Sequence, residues 1–348
     1  MKVALFTIWH VYNYGAEMQT YATVRALTDL GHTVEVVDIR LSDAAPMNLK
    51  MKVASHISSF TVLNEKFTRF WSNYIPSTRR YRSIEDLMSH PPKADVYLVG
   101  SDQVWNPELT GSLAPAFFLE FGNNIRRVSY ASSFGTSSLS KKFVRGFCRG
   151  LEKFNVVSCR EQSGVELLKK HFNIDAVNVL DPTLLHENYF ELTGDMKEND
   201  SLVFYPVSEN VDEIERFSIH LSESLNLSYI NANKRRKLWG SIRWNCLSVP
   251  HWLRTIGQSK FVVTTSYHGM AFSLLFHRQF VAIGIDKRRN VRMIDLLSKL
   301  GLMSRYFESL DSLNDEKPWT KSIDYDSVDK KLKVLRSDSY AFLKYAII

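Results

Sequence analysis

The sequence predicts an α/β protein built from two Rossmann-like halves that face a cleft. Three observations carry that prediction. The chain has 348 residues, too many for one ordinary core and enough for two of common size. Short β-branched runs alternate with helical patterns along its length, the signature of a parallel sheet covered by helices. Between Asp181 and Ser201 the breakers gather (Pro182, Gly194 and the charged run Asp195 to Asp200), and the alternation then begins again. The halves are expected at residues 1–190 and 191–348.

Val3 to Ile8 reads as the first strand. Ala16 to Leu30 reads as a helix whose apolar side is Met18, Tyr21, Ala22, Val24, Ala26 and Leu27, stopped by Gly31 in the manner of a C-terminal cap. Thr33 to Val37 is the second strand. From Pro46 to Arg82 the pattern turns aromatic and basic, with Phe60, Phe67, Phe70, Trp71 and Tyr74, and suggests helices and an excursion from the sheet; these aromatics read as core rather than as a sugar platform. Strands resume at Val96 to Val99, Arg127 to Ala131, Val156 to Cys159 and Val177 to Leu180. In the second half, strands are expected at Leu202 to Val207, Leu227 to Asn231, Phe261 to Thr265 and Phe280 to Ile283. Helices are expected at Val211 to Ser224, His251 to Ser259, His268 to His277, Asn290 to Leu300 and Ser327 to Tyr345.

Hydrophobic content of 45% with 23% charged residues is that of a soluble globular protein. The net charge of +7 favours anionic partners such as phosphorylated metabolites. It is spread along the chain with no basic tail, so no nucleic-acid partner is expected. Cys148, Cys159 and Cys246 form no CxxC pair and no metal-ligand spacing, which fits a reducing compartment. The opening MKVALFTIWH lacks the long apolar core of a signal peptide, and the stretch Ala271 to Ile285 is broken by His277 and Arg278. A cytoplasmic protein is expected.

In open α/β sheets ligands bind beyond the carboxyl ends of the strands, where helix N-termini hold anions. Four strand ends carry candidate residues. Asn13 and Gly15 follow the first strand, where a helix cap and a ligand contact are both open readings. Asp102, Gln103, Trp105 and Asn106 follow Val96 to Val99; they suit sugar hydroxyls with Trp105 as a stacking face, and equally an Asx-type turn over a core Trp. Arg160 opens a helix against the favourable dipole direction, which calls for either a bound anion or a salt bridge to Glu161 or another carboxylate. Ser266, His268 and Gly269 follow the strand Phe261 to Thr265, where Gly269 is expected to let a ligand approach the backbone.

With these sites placed, the sequence resembles the polysaccharide pyruvyltransferase family. The resemblance rests on NYGAEMQTYA (Asn13 to Ala22), VGSDQVWNP (Val99 to Pro107), SCREQSG (Ser158 to Gly164), DPTLL (Asp181 to Leu185), TTSYHGMAFSLL (Thr264 to Leu275) and NVRMIDLL (Asn290 to Leu297). Six blocks in order over residues 1 to 300 make a specific signal where any one is weak. The resemblance implies a GT-B-like fold, phosphoenolpyruvate as donor, and a glycan acceptor that becomes a cyclic pyruvate ketal. It implies that His268 and Arg160 are the catalytic pair; donor binding is expected at Ser266, Gly269, Arg292 and Arg289. The acceptor is expected at Asn13, Asp102, Gln103, Trp105 and Asn106. The chain departs from the family where Tyr267 stands near an expected Arg-Leu-His-Gly segment; Arg292, or Arg288 and Arg289, then supplies the missing positive charge.

On that reading His268 is a general acid or a phosphate-binding cation, Arg160 grips the donor, and Asp102 is a candidate base. No cofactor beyond the phosphoenolpyruvate co-substrate and no metal is expected. The acceptor is expected to be a lipid-linked oligosaccharide, with galactose as the family-level guess. Lys234 to Lys237, near Trp239 and Trp244, is open to two readings, a solvated loop and a peripheral contact with the inner membrane face. Asp324 to Asp326 matches the DxD of metal-dependent glycosyltransferases but sits where helix-capping acids are ordinary. Neither GxGxxG nor a Walker A segment is present. Two rivals share the fold: a nucleotide-sugar glycosyltransferase, and a carbohydrate-binding relative without catalysis.

Overall fold

Runs such as Val96–Val99 and Phe261–Thr264, buried at every position, are what a central parallel strand requires, because helices cover both of its faces. Around such runs the computed structural model describes residues 1–43, 62–122, 124–141, 143–144, 150–207, 211–233, 236–238, 242–244, 247–285 and 290–348. The chain divides into two compact units. The first comprises Met1–Ile57, Arg69–His186 and Val334–Ile348; the second comprises Ser58–Thr68 and Glu187–Lys333.

The first unit holds β1 (Lys2–Phe6), β2 (Thr33–Ile39), β3 (Ser77–Tyr81), β4 (Val96–Val99) and β5 (Arg126–Ser129), all parallel, in the order β3-β2-β1-β4-β5. A short parallel pair, β6 (Ser158–Cys159) with β7 (Val177–Asn178), is tied on by bridges Val128 to Val156 and Ser132 to Cys159. The strand order reverses between β1 and β4, the position where doubly wound sheets bind ligands. The helix Tyr14–Asp29 follows β1, capped by Asn13, and Gly31 turns the chain after it at φ +83°. The core packs Phe6, Tyr97, Val99, Trp105, Phe117, Phe118, Phe134 and Leu168.

The end of the C-terminal helix Tyr325–Ile347 belongs to this first unit rather than to the second. Ser339 Oγ accepts from Leu180 N at 2.9 Å, Arg336 donates to Leu184 O at 2.6 Å, and Phe342 meets the Tyr130 ring at 6.4 Å. A boundary read from sequence punctuation alone cannot register such a return.

The second unit repeats the plan with β8 (Ser201–Tyr205), β9 (Ser228–Asn231), β12 (Phe261–Thr264), β13 (Gln279–Ile283) and β14 (Tyr306–Phe307) in the order β14-β13-β12-β8-β9, again all parallel. Its reversal lies between β8 and β12. An antiparallel hairpin, β10 (Arg236–Leu238) with β11 (Ile242–Trp244), is separate from that sheet. Leu202, Phe204, Val263, Val281 and Ile283 form the core beneath the sheet.

Four strands escaped the sequence pattern, the antiparallel pair β10 and β11 and two strands of the parallel sheets. Ser77–Tyr81 is an edge strand with Arg79 and Arg80 exposed, so it shows no apolar alternation, and β14 is only two residues long. Phe67, Phe70 and Trp71 are core, as read. Phe60, Cys148, Cys246, Lys234, Arg235, Trp239, Arg288 and Arg289 lie outside the described residues. Among the described residues no helix is long and apolar enough to cross a membrane.

Candidate active site

In the first unit, the carboxyl ends of β4, β5, β6 and β7 meet in one buried polar cluster. Its centre is Arg160, which directly follows β6 and whose side chain is only 1% exposed. Arg160 Nη1 donates to Asp181 Oδ2 at 2.8 Å and reaches Ser101 Oγ at 3.4 Å; Ser101 Oγ also donates to Asp181 Oδ2 at 2.9 Å. Two further carboxylates stand near the guanidinium: Asp102 Oδ1 at 3.9 Å and Glu161 Oε2 at 4.0 Å. Asp181 Oδ1 meanwhile accepts from Thr183 N and Thr183 Oγ1, capping the short helix Pro182–Leu185. Of the two roles open to Arg160 in the sequence, the geometry shows the salt bridge. The guanidinium is held by Asp181 and shut from solvent, with Asp102 and Glu161 about it.

The loop after β4 is shaped by Asp102, held in the left-handed region at φ +74° and 16% exposed in its side chain. Strain of this kind gathers at functional sites. Asp102 Oδ1 accepts from Gln103 N at 2.8 Å, and its carbonyl accepts from Ser133 N at 3.1 Å. Gln103 and Asn106 are half-buried and bonded to each other, Asn106 Nδ2 to Gln103 Oε1 at 2.9 Å. Trp105 turns the other way: it is fully buried, donates Nε1 to Phe117 O at 3.1 Å and packs against Phe118, Phe134 and Phe154. The stacking face expected of Trp105 is therefore corrected to a core position. Ser133, whose Oγ donates to Glu161 Oε1 at 2.8 Å, and Gly135, where a Cβ would collide with the Gln103 amide, complete the cluster. Neither was singled out in the sequence, although Ser132, Ser133 and Gly135 following β5 form the same kind of small, polar strand end as the others.

Asn13 caps its helix, accepting from Gly15 N at 2.9 Å and Ala16 N at 3.3 Å, with its own side chain exposed. Behind it lies a group that sequence reasoning missed. Glu17 is fully buried and accepts from Val11 N at 2.9 Å. Burial pushes its carboxyl up to about 8, against the opposing pull of hydrogen bonds from the Val11 backbone, the Trp71 side chain and the His10 backbone. His10, at φ +58°, lies flat on Trp71 with ring centroids 3.5 Å apart; burial, then the Arg40 charge, pull it down to about 4.

The two shifts bracket a pH window. Glu17, raised on folding, contributes stability present below the ordinary carboxyl range and lost as pH climbs toward about 8. His10, depressed on folding, contributes stability lost as pH falls from the ordinary imidazole range toward about 4. Glu17→Gln is expected to flatten the alkaline side, measured as urea midpoints at the two ends of the Glu17 window. A variant whose midpoint falls with rising pH as steeply as the parent's would contradict the assignment.

In the second unit the site forms at the end of β12. Thr264 Oγ1 donates to Tyr205 O at 2.8 Å and accepts from Ser266 N at 3.0 Å, fixing the turn. Ser266 then caps the helix Tyr267–Leu275, its Oγ accepting from Gly269 N at 3.3 Å. His268 stands in the first turn, 7% exposed, edge-on to the Tyr267 ring at 5.2 Å. The Arg292 guanidinium, from the first turn of the helix Val291–Leu300, lies over that same ring at 6.0 Å. Tyr267, where the sequence departs from the family pattern, is thus the ring that His268 and Arg292 share. Gly269 is corrected: a Cβ there would collide with Thr264 Oγ1 and stand 2.8 Å from Tyr205 Cδ1, so its smallness seats the helix on the sheet rather than admitting a ligand. Asn290 and Tyr306, crowding Gly284 at the end of β13, were not foreseen; only the glycine after a buried strand signals them. Arg289 lies outside the described residues. Among the described residues no group of three or more His, Cys, Asp or Glu is placed to hold a metal ion.

Solved structures share this architecture. UDP-GlcNAc 2-epimerase of Methanocaldococcus jannaschii, in complex with UDP-GlcNAc and UDP, aligns at 12% identity and TM-score 0.52, covering 96% of this chain and 99% of that one. The glycotransferase of kitacinnamycin aligns at 13% and 0.50, covering 98% and 95%, and an alpha-glucosyltransferase in complex with UDP at 10% and 0.50, covering 99% and 95%. At such identities the likeness shows the fold alone, α/β and GT-B-like. No curated protein matches the chain. The family model for polysaccharide pyruvyl transferase, however, matches residues 13–287, from the Asn13 cap through His268 and Gly269, with Arg292 beyond it. With most of its length inside that match, the chain belongs to the polysaccharide pyruvyl transferase family.

Proposed function

We propose that the chain transfers the pyruvyl unit of phosphoenolpyruvate, as a cyclic ketal, to a hydroxyl pair of a glycan, with the donor held in the second unit. The observation that carries this reading is the meeting of His268 and Arg292 at the Tyr267 ring, at the start of a helix, in a chain of this family. Phosphoenolpyruvate brings a carboxylate and a phosphate, and both need cations and N–H donors. Arg292 provides the guanidinium, His268 the imidazole, and the first turn of Tyr267–Leu275 the dipole end.

The chemistry begins with protonation of the donor's methylene carbon, which leaves positive charge on the neighbouring carbon. One sugar hydroxyl attacks there and loses its proton; a second displaces phosphate and closes the ketal. His268 serves as the general acid or as the cation that draws phosphate away. Asp102, strained and partly exposed in the first unit, is the candidate base for the acceptor hydroxyls. The acceptor we favour is a galactose 4,6-diol on a lipid-linked capsule or exopolysaccharide intermediate, handled in the cytoplasm at the inner membrane face.

Incubation with phosphoenolpyruvate and a panel of p-nitrophenyl and lipid-linked glycosides tests the reading by mass spectrometry. A gain of C₃H₂O₂ on one glycoside, with release of phosphate, is expected; no such gain across the panel would refute it. Arg292→Ala is expected to raise the Michaelis constant for phosphoenolpyruvate about tenfold or more, the size of one lost charge-assisted contact, with the acceptor constant unchanged. Steady-state kinetics with each substrate varied in turn decides between these outcomes.

A further inference from the structure

With Trp105 in the core, the polar loop after β4 has no aromatic face to offer a sugar. Such a face exists elsewhere in the same unit, at the carboxyl ends of β1 and β2. We infer that His10 and Tyr12, laid on Trp71 beside the Arg40–Asp38 pair, form the subsite that takes a pyranose ring of the acceptor. The inference rests on the reading above that the acceptor is a glycan.

The geometry is that of a layered shelf. Trp71 is the buried lower layer. His10 lies on it at 3.5 Å and an interplanar angle of 25°, and Tyr12 leans toward it at 6.1 Å and 31°. Tyr12 is 36% exposed, so part of a large aromatic ring reaches solvent in the loop after β1. His10 holds its place only through a left-handed backbone at φ +58°, a conformation that costs a non-glycine residue free energy and recurs at binding sites. Glu17 fixes the loop from beneath, accepting from Val11 N at 2.9 Å.

Beside the shelf, Arg40 grips Asp38 with two bonds, Nε to Oδ1 at 2.8 Å and Nη2 to Oδ2 at 2.9 Å. Trp9 Nε1 donates to Val37 O at 2.9 Å, which ties the loop carrying His10 and Tyr12 to the end of β2, where Asp38 and Arg40 stand. A guanidinium has five N–H donors in a rigid plane, and Asp38 takes two. A sugar ring offers an apolar C–H face and a rim of hydroxyls. A flat aromatic layer next to a fixed row of donors and acceptors matches both at once. A free phosphate or a peptide would use the charged pair and leave the rings idle.

Tyr12→Ala removes the exposed ring and Tyr12→Phe keeps it; Tyr345→Ala, far more exposed, is the control. Saturation-transfer NMR with the glycoside panel, without phosphoenolpyruvate, reads glycan binding directly, and kinetics reads the acceptor constant. Tyr12→Ala is expected to weaken glycan binding and raise the acceptor constant about tenfold, roughly the effect of one lost aromatic contact. The donor constant stays put, Tyr12→Phe recovers most of what Tyr12→Ala loses, and Tyr345→Ala matches the parent. Unchanged glycan affinity and acceptor constant in Tyr12→Ala, with the C₃H₂O₂ gain still seen, would overturn the shelf and spare the transfer. Glycan binding that is lost in Tyr12→Ala, in a parent that gives no such gain, would support the shelf and refute the transfer. Absence of any glycan binding by the parent would overturn the shelf.

Discussion

His268→Gln is expected to lower kcat for pyruvyl transfer by about 10² to 10⁴, the range for a positioned acid. Gln fills a similar volume and keeps a hydrogen-bonding end, and the cap and the turn are made by other side chains. The cap is made by Ser266 Oγ to Gly269 N, and the turn by Thr264 to Tyr205 O. The helix itself is seated by Phe272 against Trp252 at 5.6 Å. The lost function is therefore proton delivery or phosphate stabilisation, and the loss falls on kcat with the melting temperature unchanged. Parallel kinetics and thermal melts check it. A variant within about threefold of the parent rate, well short of the range for a positioned acid, would remove His268 from the chemistry.

Arg160→Ala is expected to act on stability, by about 3–5 kcal/mol, the cost of leaving one member of a buried ion pair alone. The guanidinium is 1% exposed and the Asp181 side chain fully buried, and the pair joins the ends of β4, β6 and β7. Without the cation, Asp102, Glu161 and Asp181 face one another around an empty volume. Arg160→Lys keeps the charge but not the planar fork and should fall between. Urea midpoints of the three proteins measure the effect. A stable alanine variant whose only defect is a raised phosphoenolpyruvate constant would return Arg160 to the donor.

Arg160 also shows where the sequence stops being legible. Its position after a strand and its unfavourable dipole are visible in the order of residues, but its partner is 21 residues away across β7. Nothing local to either residue announces the pairing. Trp105 is a similar case: the turn was foreseeable from Asp102, yet whether Trp105 points out or in depends on the positive φ of Asp102 and the cavity among Phe118, Phe134 and Phe154. By contrast, Ser266 and His268 were legible because a strand end, a cap and a helix start lie within a few residues, where geometry follows chain order. The parallel sheets were legible for the same reason, since β1, β4, β8 and β12 are short continuous apolar runs. The His10–Trp71 shelf was not, because its layers come from distant parts of the chain and its buried Glu17 looks like any helical glutamate.

On the proposed function, phosphoenolpyruvate and not a nucleotide sugar is the donor on this GT-B-like fold. Isothermal titration calorimetry of the full chain against phosphoenolpyruvate and, separately, against UDP and GDP measures it most directly. Saturable heat with phosphoenolpyruvate that Arg292→Ala weakens is expected, and none with either nucleotide. Saturable binding of UDP or GDP with none for phosphoenolpyruvate would contradict it.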